Sequence, residues 1–148
     1  MFKNILVPID LNPKAYAASM YALNIAHKYN AKLFLLNISD KLRSKDDLVM
    51  SRVSVSDLEN GFKEYALNAK HFMKDLLDDK IYNKVKIKYF VREGKPTNQI
   101  IDFANDNRID LIVMGTNGKD SISDHLLGST SSNIVAKSNV PVLTVPMI

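Results

Sequence analysis

Five short apolar runs recur along the chain, and each successive pair is separated by a stretch whose apolar residues repeat at helical spacing. Strands that run the same way cannot be joined by a tight turn. They need a crossover of about a dozen residues or more, usually a helix. Right-handed crossovers then place helices on both faces of a mostly parallel sheet. The alternation therefore predicts a doubly wound α/β fold with five strands, carried by one domain over residues 1–148.

The runs differ in kind. Residues 2–9 and 32–38 are almost continuously apolar, as strands buried on both faces are. Residues 110–114 (Asp-Leu-Ile-Val-Met) and 140–146 (Val-Pro-Val-Leu-Thr-Val-Pro) read the same way. Residues 84–92 instead alternate, with Val85, Ile87, Tyr89 and Val91 on one face and Lys84, Lys86, Lys88 and Arg92 on the other. That pattern predicts a half-exposed strand at a sheet edge, where lysines discourage stray pairing. Between the runs, Asn12 followed by Pro13 reads as a helix cap with proline at the first helical position. Ala15, Ala18, Ala22, Ile25, Ala26 and Tyr29 then form one stripe, small enough for close packing on a sheet. A second helix is marked by Leu58, Phe62, Tyr65, Ala69, Phe72, Met73 and Leu76, after a polar loop expected over 40–56. Gly94-Lys95-Pro96 turns into a third helix carrying Ile100, Phe103 and Ala104, and a last helix is expected around 127–138.

Composition narrows the chemistry. The chain has no cysteine, which excludes disulfides, a thiolate nucleophile, thiolate zinc sites and iron–sulfur clusters. No run approaches the ~20 apolar residues that span a bilayer. The apolar segment after Met1 is also too short for a signal-peptide core, so the expected location is the cytoplasm, with no membrane partner.

Ligands of doubly wound sheets sit beyond the carboxyl ends of the strands, where the strand order reverses. The segments to inspect are residues 8–12, 37–40 and 114 onward. After the fourth strand stand Gly115-Thr116-Asn117-Gly118, nine further residues, and Gly128-Ser129-Thr130. Glycines let a backbone approach a ligand closely, and hydroxyls beside a helix amino terminus add donors, so the set suits phosphate groups. The same glycines could equally be plain turn residues. Asp10 is open in the same way: it can face a ligand or simply cap the turn out of the first strand. No Gly-x4-Gly-Lys-Ser/Thr loop and no Gly-x-Gly-x-x-Gly occurs. A phosphoacceptor receiver would need an acidic pair after strand one and an aspartate after strand three, where this chain offers only Asp10 and Glu93. His27, His71 and His125 receive no role.

The spacing Gly115-x2-Gly118-x9-Gly128-Ser129 resembles the nucleotide-binding signature of the universal stress protein family, in its ATP-binding branch. The opening Lys-Asn-Ile-Leu-Val-Pro-Ile-Asp, the segment Gly94-Lys95-Pro96, the run Asp-Leu-Ile-Val-Met-Gly and the ending Pro-Val-Leu-Thr-Val-Pro resemble that family in the same order. The resemblance implies an adenine nucleotide α-hydrolase-like sheet of order 3-2-1-4-5. It implies Pro8 and Asp10 on the ribose and adenine side, the backbone of Ile38 at the adenine edge, and Met114 and Gly115 beside the base. It places Gly118, Gly128, Ser129 and Thr130 around the phosphates, with Mg2+ or Mn2+ as a bridging ion. The chain departs from the pattern at Asn37-Ile38, where His-Val is frequent, and at Lys119, where arginine is common.

Asp10 and Asp124 are the only acids expected near the phosphates, and residues 115–132 contain no arginine. Fast hydrolysis needs an oriented water and charge stabilisation. The function expected is therefore a nucleotide-dependent regulatory or signalling module in stress responses, with slow hydrolysis at most and no catalytic residue assigned. The alternative is a stress adaptor that binds no nucleotide and works through protein contacts. Residues 140–146, apolar on both faces and without guarding lysines, point to a homodimer through that edge.

The net charge of +4 is local. Residues 80–95 hold six basic groups and one acid, a net +5, and the rest of the chain carries 14 bases against 15 acids. This stripe reads as a solvated edge-strand face rather than a nucleic-acid surface, which is the usual role of edge lysines.

Overall fold

The computed structural model describes residues 1–40, 55–77, 83–116 and 127–146. Its strands are β1 (Asn4–Pro8), β2 (Lys32–Ser39), β3 (Ile87–Glu93), β4 (Leu111–Gly115) and β5 (Val142–Val145). The helices are α1 (Ala15–Tyr29), α2 (Val55–Leu76), α3 (Pro96–Asp106) and α4 (Ser129–Lys137). The sheet is parallel throughout, as the alternation of strand and helix predicted, and has the order β3-β2-β1-β4-β5 that the resemblance implied. Of the loop expected over 40–56, residues 41–54 lie outside the described residues, as do Gly118, Lys119, Asp120, Asp124 and His125.

Each inner strand feeds two cores, because successive side chains point to opposite faces. Ile5 and Val7 of β1, Leu33 and Leu35 of β2, and Leu111 and Val113 of β4 pack with Ala15, Ala18, Ala22 and Ala26 of α1 and Met73 of α2. Leu6, Phe34, Leu36 and Ile112 face the other way, against Ile100, Phe103 and Ala104 of α3 and Ile134 of α4. Many of these side chains are fully buried. At about 1.5–3 kcal/mol for each large one, burial is the main force holding the helices to the sheet. The alanine stripe of α1 lets its backbone lie close to β1 and β4.

Three expectations need correcting. Asn12 and Pro13 are not the cap and first residue of α1, which begins at Ala15 with Lys14 in the cap position and no side-chain cap bond. The Asn12 Oδ1 instead accepts from the Lys14 amide at 3.0 Å, while the Ala15 and Tyr16 amides donate to the carbonyls of Asn12 and Pro13. A tight turn thus precedes the helix, and the Asn12 side chain holds the amide two residues on within that turn rather than an amide of α1 itself. The second correction concerns β3, whose basic face is not simply solvated. Phe90 stacks on Phe34 and meets Phe103 edge-on, with Arg92 lying 4.8 Å over the Phe103 ring and Lys88 5.8 Å over Phe34. Cations over aromatic faces are attracted by the ring quadrupole, so these two residues roof the α3-side core. Arg92 also reaches Asp106 at 3.8 Å. Thirdly, Asp110 lies before β4, where its carboxylate accepts from the amides of Lys3 at 2.8 Å and Asn4 at 3.3 Å. Those donors would otherwise end β1 without partners.

The turn from β3 into α3 requires Gly94. Its φ of 136° is one that side chains rarely adopt, and a Cβ there would meet Gln99 Nε2 at 2.9 Å. Its amide donates to the Ser39 carbonyl at 3.0 Å, tying the carboxyl ends of β2 and β3 together.

Candidate functional site

The strand order reverses between β1 and β4. They pair at Ile5 with Leu111 and at Leu6 with Ile112, near their amino ends, and each continues as strand to Pro8 and Gly115. A crevice at this point is the expected ligand position of the fold.

One side of the crevice is the junction of β4 with α4. The Thr116 amide donates to the Val145 carbonyl at 3.0 Å, and the Gly128 amide returns to the Thr116 carbonyl at 2.6 Å. Ser131, 4% exposed, donates its hydroxyl to the Gly115 carbonyl at 2.8 Å. These bonds bring Gly115 and Gly128, thirteen positions apart in sequence, to one place. Gly128 is the cap residue of α4 and contributes no side-chain cap bond. The first-turn amides of a helix have no intrahelical partner, and the helix dipole adds positive potential there. Ser129 and Thr130 stand in that first turn, the former exposed and the latter half-buried. Ser131, absent from the residues singled out in the sequence, fixes this geometry. It sat in the same serine run, and only its contact separates it from its neighbours.

The other side is the end of β1 against β2. Beyond Leu35 the face of β2 turned toward α1 and α2 changes from leucine to Asn37 and Ser39, which are 2% and 5% exposed. Asn37 Nδ2 donates to the Ile9 carbonyl at 2.7 Å, and its Oδ1 accepts from the Tyr65 hydroxyl of α2 at 2.5 Å. Burial pushes the Tyr65 hydroxyl above the usual tyrosine range, and the Asp40 carboxylate adds to this. Sequence reading treated Asn37 as a departure to be tolerated. A polar residue inside Leu-Phe-Leu-Leu-Asn-Ile was its signal, but nothing in the sequence marked Tyr65 as its partner.

The remaining candidates fall on the same edge of the sheet. Pro8 ends β1, Ile38 is next to last in β2, and Met114 is buried one residue before Gly115. Asp10 is exposed, and its Oδ1 accepts from the Asn12 amide at 3.2 Å, which is the local turn role open to it from sequence. At the end of β3, burial raises the Glu93 carboxyl above the usual range. Among the described residues no three histidine or acidic side chains converge to hold a metal ion. No helix among them is long and apolar enough to cross a membrane. His27 and His71 are exposed on α1 and α2.

A doubly wound parallel sheet whose strand order reverses between β1 and β4, with a glycine-capped helix beside the end of β4, defines the class. Within it, the chain belongs to the universal stress protein family, whose model matches residues 1–146. Universal stress protein MJ0577 of Methanocaldococcus jannaschii is 31% identical over 157 residues, covering 98% of this chain and 95% of that protein. A solved structure of MJ0577 has a TM-score of 0.76 at 30% identity, covering 98% and 96% of the two chains. Universal stress protein UspA from Lactobacillus plantarum has a TM-score of 0.69 at 27% identity, covering 97% of each. A universal stress protein in complex with cAMP has the same fold, with a TM-score of 0.69 at 22% identity, covering 99% and 98%.

Proposed function

We propose that this protein binds an adenine nucleotide, ATP foremost, in the β1–β4 crevice and acts as a nucleotide-dependent regulatory module in stress responses. The observation that carries this reading is the α4 junction, where two backbone bonds and the Ser131 hydroxyl hold a glycine-capped helix amino terminus beside the end of β4. Oriented amides of this kind favour anions. The family signature supports the same reading, as does a family member in complex with cAMP.

In the bound state Gly128, Ser129 and Thr130 would hold phosphate oxygens through amides and hydroxyls, joined by Gly118 from outside the described residues. Pro8, Asp10, Met114, Gly115 and the Ile38 backbone would line the base and ribose. A divalent ion, when bound, would neutralise phosphate charge. Hydrolysis is slow at most, and no catalytic residue is assigned.

The test is direct. The chain has no tryptophan and six tyrosines, so its own absorbance is weak and co-purifying adenine stands out near 260 nm. Gentle purification should yield that band, and calorimetry on stripped protein should show uptake of ATP. A clean tyrosine spectrum together with no uptake would discard this reading in favour of an adaptor that works through protein contacts. Homodimerisation through 140–146 belongs to the same proposal. Leu143 of β5 is 36% exposed, on an apolar edge strand with no lysine to guard it. Light scattering at micromolar concentration should report twice the chain mass, and a monomer would contradict it.

A further inference from the structure

Buried amides cost free energy unless both their donor and acceptor are used, and Asn37 uses both. The Ile9 carbonyl can only accept, so the Asn37 amide nitrogen must face it. The Asn37 oxygen then faces Tyr65, and the tyrosine must be the donor. One fixed direction therefore runs from the α2 hydroxyl through Asn37 to the backbone of Ile9. That backbone opens the loop from β1 to α1, which contains an unfavourable conformation: Leu11 sits at φ 61°, left-handed for a residue with a bulky side chain. Such a conformation persists only where surrounding contacts fix it. Here the Ile9 amide donates to the Leu36 carbonyl at 2.8 Å, Asn37 holds the Ile9 carbonyl, and the Asp10 carboxylate takes the Asn12 amide.

We infer that Tyr65 and Asn37 are positioning residues that hold the Ile9–Asn12 loop ready for the adenylate, so that the docking of α2 and the occupancy of the crevice strengthen each other. The inference rests on the proposed adenine-nucleotide reading, because it gives Asp10 and the Ile38 backbone their ligand. Neither Tyr65 nor Asn37 needs to touch that ligand. Their effect passes through the loop, and α2 becomes the element through which binding is felt elsewhere in the molecule.

The experiment uses the full chain with Tyr65→Phe, Asn37→Asp and, as a remote control, Ile109→Val. ATP affinity is measured by calorimetry, amide exchange at Asn12 by NMR, and folding by thermal melts. Asn37→Asp keeps an acceptor for Tyr65 but loses the donor to Ile9. It should weaken ATP binding about tenfold or more, and Tyr65→Phe should weaken it a few-fold. Exchange at Asn12 should accelerate in both. The control, although it lowers the melting temperature, should change neither quantity. Wild-type affinity and Asn12 protection in Tyr65→Phe and Asn37→Asp would overturn the inference. So would an Ile109→Val that weakens binding as much as they do, since that would reduce the effect to general stability. If Asn37→Asp fails to fold, Tyr65→Phe alone decides by the same criteria. A wild-type protein that takes up no ATP would instead defeat the proposed function. Asn12 exchange would then judge the relay by itself, upheld by acceleration in the variants and overturned without it.

Discussion

On the α4 side of the crevice the groups available to a ligand are backbone amides and first-turn hydroxyls, held by bonds between main-chain atoms and one buried serine. On the α2 side the geometry depends on side chains from separate elements, Asn37 of β2 and Tyr65 of α2, which fix a strained loop. The first arrangement rests mostly on main-chain atoms and tolerates substitution of side chains other than Ser131 as long as the glycines stay. The second is long-range and fails if one partner changes, because a buried polar group left alone costs about 1–3 kcal/mol. The two walls therefore differ in what can disturb them.

Substitutions can separate the walls. The largest effect is expected from Gly128→Val. The backbone there, with φ −61° and ψ 163°, is open to any residue, so folding should persist while the added side chain stands where phosphates would approach. ATP affinity should fall on the order of 100-fold, about 2.7 kcal/mol, as read by calorimetry alongside an unchanged circular dichroism spectrum. Asp10→Ala on the opposite wall should cost about tenfold in affinity, through both the lost turn onto Asn12 and the proposed ribose contact. Ser131→Ala leaves the Gly115 carbonyl without its hydroxyl donor. A loss of about 1 kcal/mol, or roughly 2–4 °C in melting temperature, is expected, with a smaller loss of affinity.

The smallest effect concerns pH and touches only the α2 wall. Burial raises the Tyr65 hydroxyl above its ordinary value of 10.0, so the folded state holds that proton more tightly than the unfolded chain does. Its stabilisation is complete below the unfolded value and disappears as pH rises through the higher folded one. Denaturant midpoints measured from neutral pH to above pH 10 should therefore fall more steeply for wild type than for Tyr65→Phe. Equal slopes would detach Tyr65 from the stability of that wall.

The same contrast explains what could be read from sequence. Strands and helices were legible because their periods of two and 3.6 residues are written in consecutive residues, and crossover geometry then dictates a parallel sheet. The α4 wall was legible because glycines act through the backbone, and their spacing survives in the chain as Gly115 and Gly128. The α2 wall was not, since Asn37 and Tyr65 lie 28 positions apart and only the docking of α2 joins them. The roof over the α3-side core was misread for a similar reason. Lys88 and Arg92 alternate like solvated residues, yet the rings they cover belong to β2 and α3. The α1 boundary was misplaced by two residues because Asn12 serves a turn as readily as a cap.

The bonds from the Lys3 and Asn4 amides to Asp110 also set an order of events during synthesis. β1 leaves the ribosome first and can pair with β2 early, but its other edge and these two amides wait for residues more than 100 positions later. Contacts so distant in sequence form slowly, and an apolar strand with an open edge invites association with other chains. The nascent protein thus carries an exposed half-sheet until β4 emerges. Pausing translation before that point should lengthen the interval in which a chaperone must shield it.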